Sequence, residues 1–143
     1  MIIKMKQKFF NLQINTNGQK LYEFTNQTIK WIQENQFKNG ILNLSILHTS
    51  ASLIIQENAD PDVQTDLVNY FDQLAPMDNK LYLHTTEGKD DMPAHIKSAL
   101  TNNQISLSIK ENELLLGTWQ GIYLFEHRLD PAKRIVVHHF VGD

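Results

Sequence analysis

The chain of 143 residues contains no cysteine. That excludes structural disulfides, thiolate metal sites and a cysteine nucleophile, so any metal must be held by histidine, carboxylate or water. There is no apolar run long enough to span a bilayer. There is no concentration of basic charge either: 13 Lys and Arg against 16 Asp and Glu give a formal charge of −3. The basic residues are scattered, so nucleic acid is not an expected partner. The opening MIIKMKQKFF lacks a long apolar core and a small-residue cleavage site, unlike a signal peptide. A soluble cytoplasmic protein with no membrane partner is expected. Also missing are an H-E-x-x-H metal motif, a G-x-S-x-G elbow, a Walker loop and a dinucleotide-binding glycine fingerprint. A serine triad can be drawn with Ser50 or Ser52, but no spacing favours it.

The length suits one domain, residues 1–143, with a core that needs no covalent staple. Internal repeats and low-complexity segments are absent. Lys6 to Ile14 reads as an opening strand that ends at Asn17-Gly18. Leu21, Phe24, Thr28, Trp31 and Ile32 recur at helical spacing and predict a helix over Leu21 to Asn35. After Gly40, ILNLSILH alternates, with Leu42, Leu44, Ile46 and His48 on one strand face. SLIIQ continues that strand or pairs beside it. Asp60 as N-cap and Pro61 at the first position open a helix with Val63, Leu67, Tyr70, Phe71 and Leu74 as its buried stripe, ended by Pro76. A long polar loop, 77–92, follows; loops of that length are often functional. In DDMPAHIK, Pro93 is the expected first helical residue. Asp90 and Asp91 then flank the cap, and His95 falls in the first turn, where the helix dipole disfavours imidazolium. QISLSIK, ELLLGTW, GIYLFEH and RIVVHHFV are strand-like and closely spaced. Helices segregated from a run of strands predict an α+β fold of packed, largely antiparallel or mixed sheets with a few helices.

Several segments place polar groups at the ends of apolar strands. His48 leads into Thr49, Ser50 and Ser52, with Glu57, Asn58 and Asp60 closing that block. A histidine on an apolar face needs a partner; Glu57 and Asp60 have the simpler role of starting a helix. In GTWQGIYLFEHR, Gly117 and Gly121 flank Trp119 and Gln120, where a ligand or another backbone can approach closely. Glu126 shares its face with Ile122 and Leu124 and so needs a cationic partner; Arg128 is close in sequence but badly placed. Glu126 and His127 point to opposite faces. His138 and His139 also point apart, and serve as structural or incidental residues rather than as joint ligands. His84 lies in the long loop with Thr85, Thr86 and Glu87. It is either a solvated loop histidine or part of a site that closes on a ligand. His48, His95 and His127 are far apart in sequence, so a three-histidine site must be assembled from separate elements, as catalytic zinc sites commonly are.

HTSASLIIQENADPDV, EGKDDMPAHIKSAL and LGTWQGIYLFEHR resemble, in order, the three signature blocks of the YjbQ family, uncharacterised protein family 0047. The resemblance runs from about Lys6 to Gly142. It implies a compact YjbQ-like α+β domain that assembles as a homotrimer. It further implies a cleft suited to a divalent metal, zinc by expectation, with His48, His95 and His127 as ligands. Glu57, Asp60, Asp90, Asp91 and Glu126 would surround them. Members are commonly named secondary thiamine-phosphate synthases, which implies joining a pyrimidine pyrophosphate to a thiazole phosphate with loss of pyrophosphate. The segment LDPAKR departs from the glycine-rich basic turn usual after the EHR block, and the chain ends in Gly-Asp where Gly-Glu is usual.

Two functions follow as expectations. The first is a metal-dependent enzyme acting on a small phosphorylated substrate, as a thiamine-phosphate synthase or a phosphate-ester hydrolase. Asp91, Glu57 and Glu126 would be its catalytic carboxylates. Lys97 or Arg128 would steady a departing pyrophosphate. Thr49, Ser50, Ser52, Asn58, Asp60, Asp90, Thr118, Trp119 and Gln120 would complete the substrate site, with the Pro61 helix start favouring anions. The second is a non-catalytic trimer that binds a metal or small metabolite in the same cleft. A purely structural trimer with a polar channel is a third and weaker reading.

Overall fold

The structure is a computed structural model that describes Ile2 and residues 4–143. Among the described residues, eight strands form two antiparallel sheets accompanied by three α-helices, an α+β arrangement. The strands are β1 (Lys6–Asn17), β2 (Lys20–Glu23), β3 (Gly40–Ile46), β4 (Ala51–Glu57), β5 (Gln104–Lys110), β6 (Glu113–Leu114), β7 (Gln120–Glu126) and β8 (Pro131–Gly142). The helices are α1 (Thr25–Glu34), α2 (Pro61–Leu74) and α3 (Asp91–Leu100). One sheet has the order β1-β8-β3-β5-β6 and the other β2-β7-β4.

The sheets face each other across one apolar core. Leu42, Leu44, Leu107 and Phe140 come from the larger sheet, Leu53, Ile122 and Leu124 from the smaller, and Trp31 and Ile32 from α1. A second cluster lies on the other side of the small sheet, where Leu67, Val68 and Phe71 of α2 cover Leu21, Tyr123 and Phe125. The strand alternation sorts β7 between the two layers: Ile122, Leu124 and Glu126 point into the sandwich, and Tyr123, Phe125 and His127 toward the helices.

Several boundaries differ from the sequence pattern. The helix expected over Leu21 to Asn35 begins only at Thr25, because Lys20–Glu23 pair with β7, Leu21 opposite Phe125. Leu21 and Phe24 have helical spacing but serve different cores. The strand expected to carry His48 ends at Ile46, since residues 47–50 cross from one sheet to the other; His48 is exposed there. SLIIQ pairs with β7 in the other sheet. Of ELLLGTW only Glu113–Leu114 form a strand, against β5, with the Leu115 amide donating to the Ser108 carbonyl. The expected stripe of α2 is only partly covered: Tyr70 and Leu74 are exposed. Asp60 caps that helix, accepting from the Asp62 amide at 2.9 Å. Helix α3 starts two residues before Pro93, so Pro93 is its third residue and His95 lies in the second turn.

His138 is fully buried beside Trp31, Phe10 and Phe24. Its Nδ1 faces the Val136 carbonyl at 3.2 Å and its Nε2 the Thr28 hydroxyl at 2.9 Å. A carbonyl only accepts, so Nδ1 carries the proton and Nε2 accepts from Thr28. His139 points the other way and stacks on Phe9. Glu126, at the end of β7, is fully buried and meets both nitrogens of a guanidinium fork: Arg134 Nε donates to Oε2 at 2.8 Å and its terminal nitrogen to Oε1 at 2.6 Å. The pair spans the two sheets. Removing one partner strands a buried charge, so Arg134→Met lowers unfolding free energy by about 3–5 kcal/mol, read from urea denaturation.

Candidate metal centre at the start of the third helix

The chain enters α3 through Gly88, whose φ of +107° favours glycine; a Cβ there would lie 2.9 Å from Asp90 Oδ1. Asp90 and Asp91 therefore arrive together at the helix start, but neither is spent on capping. Asp90 Oδ2 accepts from Arg128 Nε and from the Leu129 amide, each at 2.9 Å. Burial opposes ionisation of Asp90, but those bonds outweigh it and hold its carboxyl below the usual range. Asp91 is 1% exposed. Its Oδ1 accepts from a terminal nitrogen of Arg128. Its Oδ2 lies 2.6 Å from His84 Nε2 and 3.1 Å from His95 Nε2. Burial again opposes the charge, and the His84 bond and the positive field of Arg128 win, so Asp91 also stays below the usual range. Its position at the first helical residue adds a favourable dipole.

The two imidazoles stand 5.6 Å apart between ring centres. Asp91 and His95 meet because they are four residues apart on one helix face. His84 reaches the same oxygen from the loop, where Glu87 Oε2 lies 3.3 Å from its Nε2. The Asp91 hydrogen bond, reinforced by both carboxylates, raises the pKa of His84. Each of His84, Glu87, Asp91 and His95 offers a donor atom within 4.8 Å of the others, a set that could hold a metal ion.

The expected trio of histidines does not converge in this chain. His95 belongs to the cluster. His48 is nearby and shares a pocket with it, along with Thr49, Ser98 and Asn103. His127 is elsewhere: it is fully buried on the helix side of β7, its Nε2 2.9 Å from Ser52 Oγ. Burial, and then the charges of Lys97 and Arg134, push it down to about 3. Strand alternation put it on the face away from Glu126.

Other expected site residues are also scattered. Lys97 is 1% exposed and donates to Asp72 at 2.6 Å and Gln19 at 3.1 Å, so it ties α3 to α2 rather than facing a cleft. Ser50 and Ser52 are buried. The Ser50 carbonyl takes the His127 amide, and the Thr49 carbonyl faces His95 Nδ1 at 3.0 Å. Glu126 is committed to Arg134. Glu57, Asn58, Asp60, Thr118, Trp119 and Gln120 gather at the other end of β4 and β7, six residue steps from Ala51. At about 3.3 Å per residue, that is roughly 20 Å away. There the Glu57 carboxylate accepts from the Asp60 amide at 3.0 Å, the Asn58 amide binds the Trp119 carbonyl, and Gln120 closes a turn with Gly117. Trp119 is 62% exposed.

His84 and Glu87 are the cluster residues that the sequence reading left undecided or unassigned. Their signal is HTTEGKDDMPAH, in which all four donors fall within twelve residues. Setting the helix start at Pro93 hid the Asp91–His95 pair.

An antiparallel α+β sandwich with a histidine–carboxylate cluster at one helix start is the class that fold and site define. The family model for UPF0047 protein YjbQ-like matches residues 10–143. A UPF0047 protein of Synechocystis is 50% identical over 132 residues, covering 92% of this chain and 90% of the relative. One from Methanocaldococcus jannaschii is 39% identical over 144 residues, covering 100% and 99%. A crystal structure of a YjbQ/UPF0047 protein from Clostridium acetobutylicum has TM-score 0.79 at 31% identity, covering 94% of this chain and 99% of that one. A YbjQ-like protein of Sulfolobus solfataricus shares the fold, with TM-score 0.90 at 20% identity over 98% of this chain and all of that one. This chain belongs to the YjbQ, or UPF0047, family.

His127 and His138 set a pH dependence. Burial pushes His138 down to about 4, with the bond to Val136 opposing only in part. Both rings stay neutral in the folded protein but take up a proton in the unfolded chain below about pH 6.5. The unfolded state then binds more protons, so this stability is complete above about pH 6.5 and is lost as pH falls toward 4. The slope is up to about 1.4 kcal/mol per pH unit for each ring. Urea midpoints taken from about pH 7.5 to 4.5 should decline, and less steeply in His138→Phe; a flat profile in the parent contradicts the burial argument.

Proposed function

We propose that this protein is a metal-dependent enzyme that hydrolyses a phosphate ester of a small molecule, with zinc held by His84, Asp91 and His95 and with Glu87 beside them. One observation carries the reading. His95 Nδ1 faces a carbonyl, so it must carry the proton of the neutral ring, and the bare Nε2 then faces a carboxylate oxygen at 3.1 Å. A lone pair against an anion is repulsive, so either a second proton on the ring or a metal ion must stand between them, and a second imidazole nitrogen 2.6 Å from the same oxygen favours the metal. Two imidazole nitrogens and a carboxylate oxygen form a donor set suited to zinc.

A divalent ion in that position would polarise a phosphoryl oxygen or acidify a water molecule. The protein's own groups supply the rest. Arg128 holds Asp91 in one orientation, and the Thr49 carbonyl fixes the tautomer of His95, as partners behind metal ligands commonly do. Glu87, exposed at the rim, is placed to take a proton. Exposure of His84 leaves one side of the cluster open to a substrate.

Thiamine-phosphate synthesis is the runner-up. It needs free cations to hold a departing pyrophosphate, and apart from Lys89 on the exposed loop the basic side chains expected in that role are engaged. Arg128 is shared between Asp90 and Asp91, Arg134 is paired with Glu126, and Lys97 is buried against Asp72. We also propose a homotrimer. The outward face of the larger sheet supports it: Phe9 and Ile41 are each 58% exposed there, and the buried His139 Nε2 has no hydrogen-bond partner. Among the described residues no helix is long and apolar enough to cross a membrane, in keeping with the proposed cytoplasmic setting.

Protein purified without chelator should contain about one zinc per chain. His95→Ala and Asp91→Asn should each weaken zinc binding by more than the roughly 10- to 100-fold cost of losing a partner behind a ligand. Zinc-loaded parent should release phosphate from para-nitrophenyl phosphate. Zinc binding without turnover favours the binding-module reading, and synthase turnover without hydrolysis favours the runner-up. Light scattering coupled to size exclusion should give three times the 16.6 kDa chain mass; a monomer, or Phe9→Asp and Ile41→Asp leaving the mass unchanged, contradicts the proposed face.

A further inference from the structure

We infer that His48 is not a metal ligand but a hydrogen-bond donor of the cleft, presenting Nε2–H to an oxygen of a phosphoryl or carboxylate ligand. The inference rests on the metal reading above only for what the far side of that ligand touches. Its own ground is the turn that crosses between the sheets, residues 47–50.

In that turn, the Ser50 amide donates to His48 Nδ1 at 3.0 Å. A ring nitrogen that accepts from an amide is unprotonated, so the neutral ring carries its proton on Nε2. Neither nitrogen is then available to a metal: the Nδ1 lone pair is engaged and the Nε2 position is protonated. His95 is in the opposite state. Its Nδ1 donates to the carbonyl of Thr49, one residue before Ser50. Consecutive backbone groups of one turn therefore set opposite tautomers in the two histidines. One ring becomes a metal donor and the other an N–H donor.

His48 is placed to use that proton. It is exposed and lines two adjoining pockets. One, of about 240 Å³, includes His95, Ser98 and Asn103. The other, of about 230 Å³, includes Arg128 and Arg134. Both guanidinium forks are already engaged by carboxylates. A ligand oxygen between the pockets thus meets a neutral N–H that no group among the described residues accepts. A neutral donor on a fixed turn can hold an oxyanion without adding to the crowded charge of this site.

The test compares parent, His48→Ala and His48→Gln; glutamine keeps an amide N–H at similar reach. Zinc affinity is measured by competition with a chelator, and inorganic phosphate binding to the zinc-loaded proteins by phosphorus NMR. Expected are zinc affinities equal within about twofold and a phosphate affinity lowered about tenfold in His48→Ala, as for one lost charge-assisted hydrogen bond, with recovery in His48→Gln. A large loss of zinc affinity in His48→Ala makes His48 a ligand and overturns the inference, as does unchanged phosphate binding. If the parent binds no zinc, the metal reading fails separately. Nitrogen-15 NMR of the metal-free imidazoles then decides: a proton on His48 Nε2 sustains the donor assignment, and one on Nδ1 overturns it.

Discussion

The arrangement depends on keeping one buried carboxylate charged. Asp91 is almost wholly removed from water, which is costly for an anion unless several donors replace the lost hydration. Arg128 supplies one oxygen's partner, His84 and His95 crowd the other, and the positive end of α3 lies beneath. The same contacts draw three parts of the chain together: the segment after β7, the long loop and the helix itself. Removing that charge would take away the loop's tie to the helix through His84 and leave Arg128 held by Asp90 and the Glu87 carbonyl.

The crossing turn plays the matching role on the sandwich side. Residues 47–50 carry the chain from the five-stranded to the three-stranded sheet, and their backbone polar groups must be satisfied outside any ladder. Two are met by imidazoles of the site, Ser50 N–H by His48 and the Thr49 carbonyl by His95, while the Ser50 carbonyl takes the His127 amide and the Leu47 amide the Ile135 carbonyl. The site's geometry is therefore tied to the change of sheet. Its protons are placed by backbone groups, which a side-chain substitution does not remove.

The two ends of the small sheet have different tasks. At the cluster end, carboxylates outnumber the cations that pair with them, and imidazoles fill the space between. At the far end, Glu57, Asn58 and Asp60 satisfy the start of α2 and the turn at Trp119. Blocks that sit side by side in sequence, such as HTSAS and ENADPD, are separated because a strand of seven residues runs straight between them.

Much of the fold is legible in the sequence alone. Alternation in ILNLSI and GIYLFE, the Asp60-Pro61 start and the order of helices and strands establish an α+β sandwich, because period and capping are local properties. The need of Glu126 for a buried cation was also readable from its neighbours. Its partner was not, because Arg134 lies on a strand of the other sheet and only packing brings it there. The same holds for the metal cluster. Pro93 by itself marks a helix start, yet Arg128 and His84 hold Asp91 at a start two residues earlier, and that shift puts Asp91 and His95 on one face. Residue types and periods were enough to choose the architecture. Which histidines meet, and which nitrogen of each bears the proton, was decided by contacts between segments far apart along the chain.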